Sequence, residues 1–245
     1  MKMTVIGSGS SGNCYLLDDG EQILVIEAGV PFSEVKEAIY YRVSRIVGVL
    51  SSHEHGDHRK YLHEYEAAGI PVFKGNTYYP SGNLLIKELS LDIGGCVELG
   101  GFNVYPFPVP HDVPCCGYLI THREMGRMIF VTDAEYVKYT FPGVNHIMVE
   151  ANYAQDIIDE NVNDGIIPDS LRKRIMKSHT SLETAKGIVT ANKNPLLRNV
   201  VLLHLSGHNS DRKRFVSEVQ DIAGEYCNVA AAEKGMVIDF NWCPF

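Results

Sequence analysis

The chain has 245 residues, 45% of them apolar and 21% charged, and a formal charge of −8. That length fits one large domain with its own core, and the composition excludes a disordered or fibrous protein. The acidic balance argues against a surface coated in basic residues for nucleic acid, while leaving room for a local basic groove.

No run of about 18 apolar residues occurs, so no membrane span is expected. The opening MKMTVIGSGSSGN has no apolar core of a secretory signal. The six cysteines are dispersed without CxxC spacing. They read as reduced thiols of a cytoplasmic protein, with Cys115 and Cys116 as small buried strand residues rather than a redox pair.

In chain order, MTVIGS, CYLLDD and QILVIEAG read as strands joined by tight turns. FSEVKEAIYY has helical spacing behind Ser33 as a cap, and SRIVGVLSS is a buried-type strand. HRKYLHEYEAAG reads as one helix closed by Gly69. FNVYPFPVPH, CCGYLIT, RMIFVTDA and HIMVEANY form a second set of strands. PDSLRKRIMKS and SLETAKGIVTANK are helices, NVVLLHLS a strand, SDRKRFVSEVQDIAGE a helix and GMVIDF a closing strand. This order fits an α/β fold, a four-layer αββα sandwich of 1–245.

Polar chemistry gathers at strand ends. SSHEHGDH places His53, His55, Asp57 and His58 after one strand; His111 with Asp112, Asp133 and His204 follow three others. Loops at one edge of packed sheets are where sites are built. His53 and His55 lie two apart and project to one side of an extended loop. Imidazole and carboxylate suit zinc or manganese, with iron(II) also compatible. Seven candidate ligands exceed what one ion accepts and match two divalent ions bridged by a carboxylate.

Here the chain resembles the metallo-β-lactamase-fold superfamily. SHEHGDH matches its H-x-H-x-D-H signature, PHDVPCCGY its single-His motif, FVTDA its bridging-Asp motif and LLHLS its last-His motif. The resemblance implies the αββα sandwich and a dinuclear centre. One metal takes His53, His55 and His111; the other takes Asp57, His58 and His204; Asp133 bridges. An Asp rather than a Cys at the bridge is similar to phosphodiesterases and glyoxalase II-like thioesterases. GSGSSGNCYLL, HTSLETA and HLSGHNS resemble a bacterial subgroup of double-strand DNA exonucleases linked to the cell-wall sensor-kinase operon. Glu27 stands where the superfamily has Asp, and SHTS replaces the subgroup's GHLS. The stretch between Asp133 and His179 is too short for the large insertion of the ribonuclease J-like branch.

The implied activity is metal-dependent hydrolysis of a phosphodiester in DNA. The alternative is a thioesterase or lactonase acting on a small-molecule ester or thioester. Asp57 and His179 are the catalytic candidates, with His179 supplying a proton to the leaving oxygen. The helix start behind His179 is expected to offer free amides to a phosphate. Arg172, Arg174 and Lys177, together with Lys173, are candidate backbone contacts, as are Arg212, Lys213 and Arg214. Asn13 or the neighbouring serines are expected to face the site from a tight turn.

Overall fold

Successive residues of the strands face two different cores, and that alternation sets the layering. The computed structural model describes residues 1–74 and 95–243. Its elements run β1 (Lys2–Gly7), β2 (Cys14–Asp18), β3 (Ile23–Ile26), α1 (Phe32–Ala38), a 3-10 turn (Val43–Arg45), β4 (Ile46–Ser51), α2 (Gly56–Arg59), α3 (Leu62–Ala67) and β5 (Val72–Lys74). After the break come β6 (Val97–Leu99), β7 (Phe102–Val109), β8 (Cys115–His122), β9 (Gly126–Val131) and β10 (His146–Glu150). The rest is α4 (Gln155–Asn163), α5 (Asp169–Ser178), α6 (Leu182–Asn192), β11 (Asn199–Leu203), α7 (Arg212–Ala223), β12 (Asn228–Ala231) and β13 (Val237–Asp239).

The described strands form two sheets, ordered β13-β1-β2-β3-β4-β5 and β12-β11-β10-β9-β8-β7-β6. In β11, Val201 and Leu203 join Met3, Leu17, Leu24 and Phe130 between the sheets. Val200 and Leu202 of the same strand face outward, against Leu182 and Val189 of α6 and Phe215 and Val219 of α7. On the other side Leu16, Ile23 and Val25 pack on Phe32, Val35, Leu62 and Tyr65 of α1 and α3. The four layers are therefore α, β, β, α, as the element order predicts. No helix among the described residues is long and apolar enough to cross a membrane.

The predicted strands and helices are present, with local differences. The helix predicted over 58–69 is two helices. Asp57 and His58 give their carbonyls to the amides of Asn13 and Ala28 (both 2.7 Å), and Tyr61 N–H donates to Ala28 O, so the helical ladder is interrupted at Lys60. Gly69, at φ +74°, does close it. Ser33 does not cap α1; Pro31 holds that position, and the Phe32 amide donates to Glu64 Oε2 at 3.1 Å. The short strands β5, β6 and β12 carry too few residues to be read from sequence, and α4, amphipathic but polar on average, was not foreseen. Helices α4 and α5 pair through a separate cluster of Tyr153, Ile158, Ile175 and Leu171.

The Gly-rich opening is a packing device. A β-carbon on Gly12 would overlap Gly29 O, and one on Gly29 would overlap Asp57 O. The β1–β2 turn, the loop after β3 and the His-rich segment thus touch backbone to backbone. Gly29→Ala should lower stability by about 1–3 kcal/mol, roughly 2–12 °C in Tm. Gly187→Ala in α6, where an added carbon meets nothing within 4 Å, should be neutral or stabilising. Thermal denaturation of both variants checks the contrast; equal Tm values would refute the close-packing account.

Candidate metal centre

Each chemistry-bearing side chain sits just past a strand. His53 and His55 follow β4, with Asp57 and His58 in α2; His111 follows β7; Asp133 follows β9; His204 follows β11. Glu27, Asp133 and His204 end their strands with left-handed backbones, at φ +65°, +49° and +52°. Non-glycine residues pay about 1–2 kcal/mol for that conformation. It turns the side chains off the sheets toward a common point.

Four donor groups assemble there among the described residues: His53, His55 and His111; Asp57, His58 and His204; His53, His58 and Asp133; and Asp133, Glu150, His179 and His204, with their ligand atoms within 4.8 Å of one another in each. Asp133 Oδ2 lies 2.6 Å from His58 Nε2 and 3.5 Å from His53 Nε2, so its carboxylate stands between the first two groups. His204 Nε2 is 3.3 Å from Asp57 Oδ2. Of seven buried side-chain polar atoms without a hydrogen-bond partner among the described residues, five belong here: His53 Nε2, His58 Nδ1, His111 Nδ1, Asp133 Oδ1 and His204 Nε2. Buried polar atoms are nearly always satisfied. This concentration of unused imidazole and carboxylate donors fits divalent metal ions.

The electrostatics point the same way. Burial, reinforced by His58, pushes His53 down to about 2, which leaves a neutral lone pair. Burial also lowers His111. Burial opposes charge on His58 and His204, yet Asp133 raises both well above the usual imidazole value. Against its own burial, Asp133 is held well below the usual carboxylate range by His204 and His58. Without metal, protons on histidine balance the buried carboxylate; divalent cations can take their place.

Sequence reasoning missed Glu150, at the end of β10. It is fully buried. Oε2 accepts the amides of Asp133 (2.8 Å) and Thr180 (2.9 Å), while Oε1 meets Nδ1 of His179 (2.7 Å) and of His204 (2.8 Å). Asp133 Oδ1 shares both contacts, 2.7 Å from His179 Nδ1 and 3.2 Å from His204 Nδ1, so the two carboxylates together hold the late histidines through Nδ1. Burial works against the proton on His179, but Glu150 and Asp133 lift it to about 10. Its position at the end of an apolar strand, shared with the other site residues, was the available signal. Also unforeseen are Ser52 Oγ, 2.8 Å from His53 Nδ1, and Asn152 Nδ2, which donates to His204 O at 2.8 Å. Glu27 accepts the Ser52 amide and lies 3.6 Å from His58 Nδ1, too far for a hydrogen bond.

A cleft of about 500 Å³ opens above the donors, lined among others by Ser10, Asp57, Arg174, His179, His204 and His208. The substrate-contact expectations divide here. Arg174 lines the cleft and has no ion pair among the described residues. Arg172 does not line it; its guanidinium is held by Asp159 at 2.5 Å. Lys177 is exposed off the cleft, because the lining face of α5 runs through Leu171, Arg174, Ile175 and Ser178. Lys173 pairs with Asp169, Arg212 with Glu233, and Arg214 with Asp156 and Glu218.

Asn13 is buried beneath the site rather than facing a substrate. Its side chain accepts the Gly9 amide and reaches Asp57 O and His58 Nε2, so it braces the metal loop. Three of the amides at the start of α6 are already taken: Thr180 N–H goes to Glu150, Leu182 N–H to Tyr153 O and Thr184 N–H to Ser181 Oγ.

Comparison with known proteins places this geometry. The family model described as metallo-beta-lactamase superfamily matches residues 7–145. The chain is 25% identical to exodeoxyribonuclease YycJ of Bacillus anthracis, over 92% of this chain and 90% of that protein. It is 22% identical to exodeoxyribonuclease WalJ of Streptococcus pneumoniae, over 98% and 92%. The crystal structure of the metallo-beta-lactamase fold protein YhfI from Bacillus subtilis superposes with a TM-score of 0.68 at 17% identity, covering 97% of this chain and 98% of that one. The chain belongs to the metallo-beta-lactamase superfamily.

Proposed function

We propose that the protein is a metal-dependent phosphodiesterase that degrades DNA, and that it holds two divalent ions. The observation that carries this reading is Arg174, which lines the same cleft as the donor groups and has no ion pair among the described residues. A cation beside two ion sites is complementary to a phosphodiester. Similarity to two proteins named exodeoxyribonucleases, over nearly the whole chain, supports it.

In this reading His53, His55 and His111 would hold one ion and Asp57, His58 and His204 the other, with the Asp133 carboxylate a donor available to both. Nitrogen and carboxylate donors accept zinc or manganese, and iron(II) as well. Bound ions supply Lewis acidity, which lowers the pKa of water toward about 7 and neutralises charge on phosphate oxygens. The protein does the rest. Arg174 orients the phosphate. His179, its Nδ1 fixed by Glu150, donates a proton from Nε2 to the leaving oxygen.

His179→Ala should keep both ions and lose about 10²–10⁴-fold in rate on DNA. The loss should shrink on a p-nitrophenyl phosphodiester, whose leaving group needs no proton. Metal content by elemental analysis and rates on both substrates make the test. Equal losses on the two would remove the proton-donor role. Turnover of thioesters or lactones by metal-loaded protein, with none of any phosphodiester, would overturn the phosphodiesterase reading in favour of a small-molecule hydrolase.

A further inference from the structure

The cleft does not end at the donor groups. A second hollow, of about 480 Å³, lies within the β7–β8 loop and shares His111 and Asp112 with the cleft. Its other walls are Pro108, Val109, Pro110, Val113, Pro114 and Cys115. Prolines fix the local backbone, and the loop is anchored at both ends: Glu135 N–H donates to Pro110 O at 3.0 Å, and Cys116 N–H to Ser52 O at 3.2 Å. The loop is therefore held in place at both ends.

The two arms differ in chemistry. The first carries Arg174, His179, His208 and the hydroxyl of Ser10. The second is apolar except where it joins the first. At that junction stands Asp112, half exposed, with Oδ1 3.0 Å from His111 Nε2 and 3.5 Å from His55 Nε2. An apolar, open hollow offers a flat ring a surface to lie on and gives no partner to a phosphate. A carboxylate at its mouth repels one.

Resting on the phosphodiesterase reading, we propose that this hollow is a nucleoside subsite for the residue at a strand end. It takes base and sugar on one side of the scissile phosphate, and Asp112 keeps the next phosphate out. An internal nucleotide carries phosphates on both sides of its sugar and is rejected; a terminal nucleotide with a free hydroxyl is accepted. The same arrangement sets digestion from an end and requires that the last base leave the duplex stack to reach the hollow.

The test compares methyl p-nitrophenyl phosphate with thymidine p-nitrophenyl phosphodiesters linked through either the 5′ or the 3′ oxygen. Each thymidine ester is used with its remaining hydroxyl free and with that hydroxyl phosphorylated. One free-hydroxyl isomer should exceed the methyl ester by about tenfold or more in kcat/KM, mostly through KM. Phosphorylation of its free hydroxyl should remove most of that gain. Asp112→Asn should restore it, and Val113→Asp should bring the ratio of thymidine to methyl ester close to one. If neither isomer exceeds the methyl ester, or the extra phosphate is tolerated by the unaltered protein, or Asp112→Asn brings no relief, the subsite is refuted while the phosphodiesterase reading stands. If no phosphodiester is cleaved with any metal, that reading falls and the subsite with it.

Discussion

Replacing Asp133 with alanine should cut phosphodiester hydrolysis by roughly 10⁴-fold or more. The carboxylate stands between the two donor groups, 2.6 Å from His58 Nε2 on one side and 3.5 Å from His53 Nε2 on the other. Its loss removes the donor best placed to serve both ions and brings their mutual repulsion into a buried site. Elemental analysis should find fewer than two ions per chain. The fold should persist at neutral pH, because His58 keeps Glu27 and Asp57 beside it and His204 keeps Asp57 and Glu150 after the Asp133 anion is gone. Asp133→Asn is the companion variant: asparagine tolerates the left-handed backbone and keeps the shape while losing the charge. Two tightly held ions and near-normal rates in both variants would show that Asp133 is not shared between them.

Glu150→Ala should be nearly as damaging although Glu150 belongs to neither of the two proposed ligand sets. Removal leaves the amides of Asp133 and Thr180 buried without an acceptor and takes away one of the two carboxylates, beside Asp133, that hold the rings of His179 and His204. Each orphaned donor costs about 1–3 kcal/mol. Loss of a carboxylate that orients a ligand histidine typically weakens metal binding about 10–100-fold. With His179 misplaced as well, the rate should fall roughly 10³-fold or more. Metal titration followed by spectroscopy of a cobalt-substituted sample separates the two effects. The perturbation should appear at the ion held by His204, while the ion at His53, His55 and His111 stays intact. A variant with both ions normally bound and a reduced rate would leave Glu150 acting through His179 alone.

The four-layer arrangement was legible because core strands such as HIMVE and NVVLL are apolar and short. The donors were legible because His53 to His58 concentrate ligand types no surface loop needs. Glu150 was not, since a single glutamate after an apolar strand looks like the first solvated residue until burial is known. The direction of Asn13 was equally hidden: its role depends on Gly29 bringing Asp57 into contact across 28 residues of chain. The choice of Arg174 over Arg172 and Lys177 follows from helical phase, which becomes informative only once the face of α5 that lines the cleft is known.

The left-handed backbones at Glu27, Asp133 and His204 have a consequence for attempts to engineer this protein. Glycine at any of the three would relieve about 1–2 kcal/mol of local strain. It would also empty a buried position and orphan the groups paired with it, which costs more. A screen for heat resistance should therefore keep all three strained residues even in the absence of metal. Asp133 and His204 are also donors to the proposed ions, so selecting for retained metal during heating strengthens that preference, because ligand affinity then adds to the folding free energy.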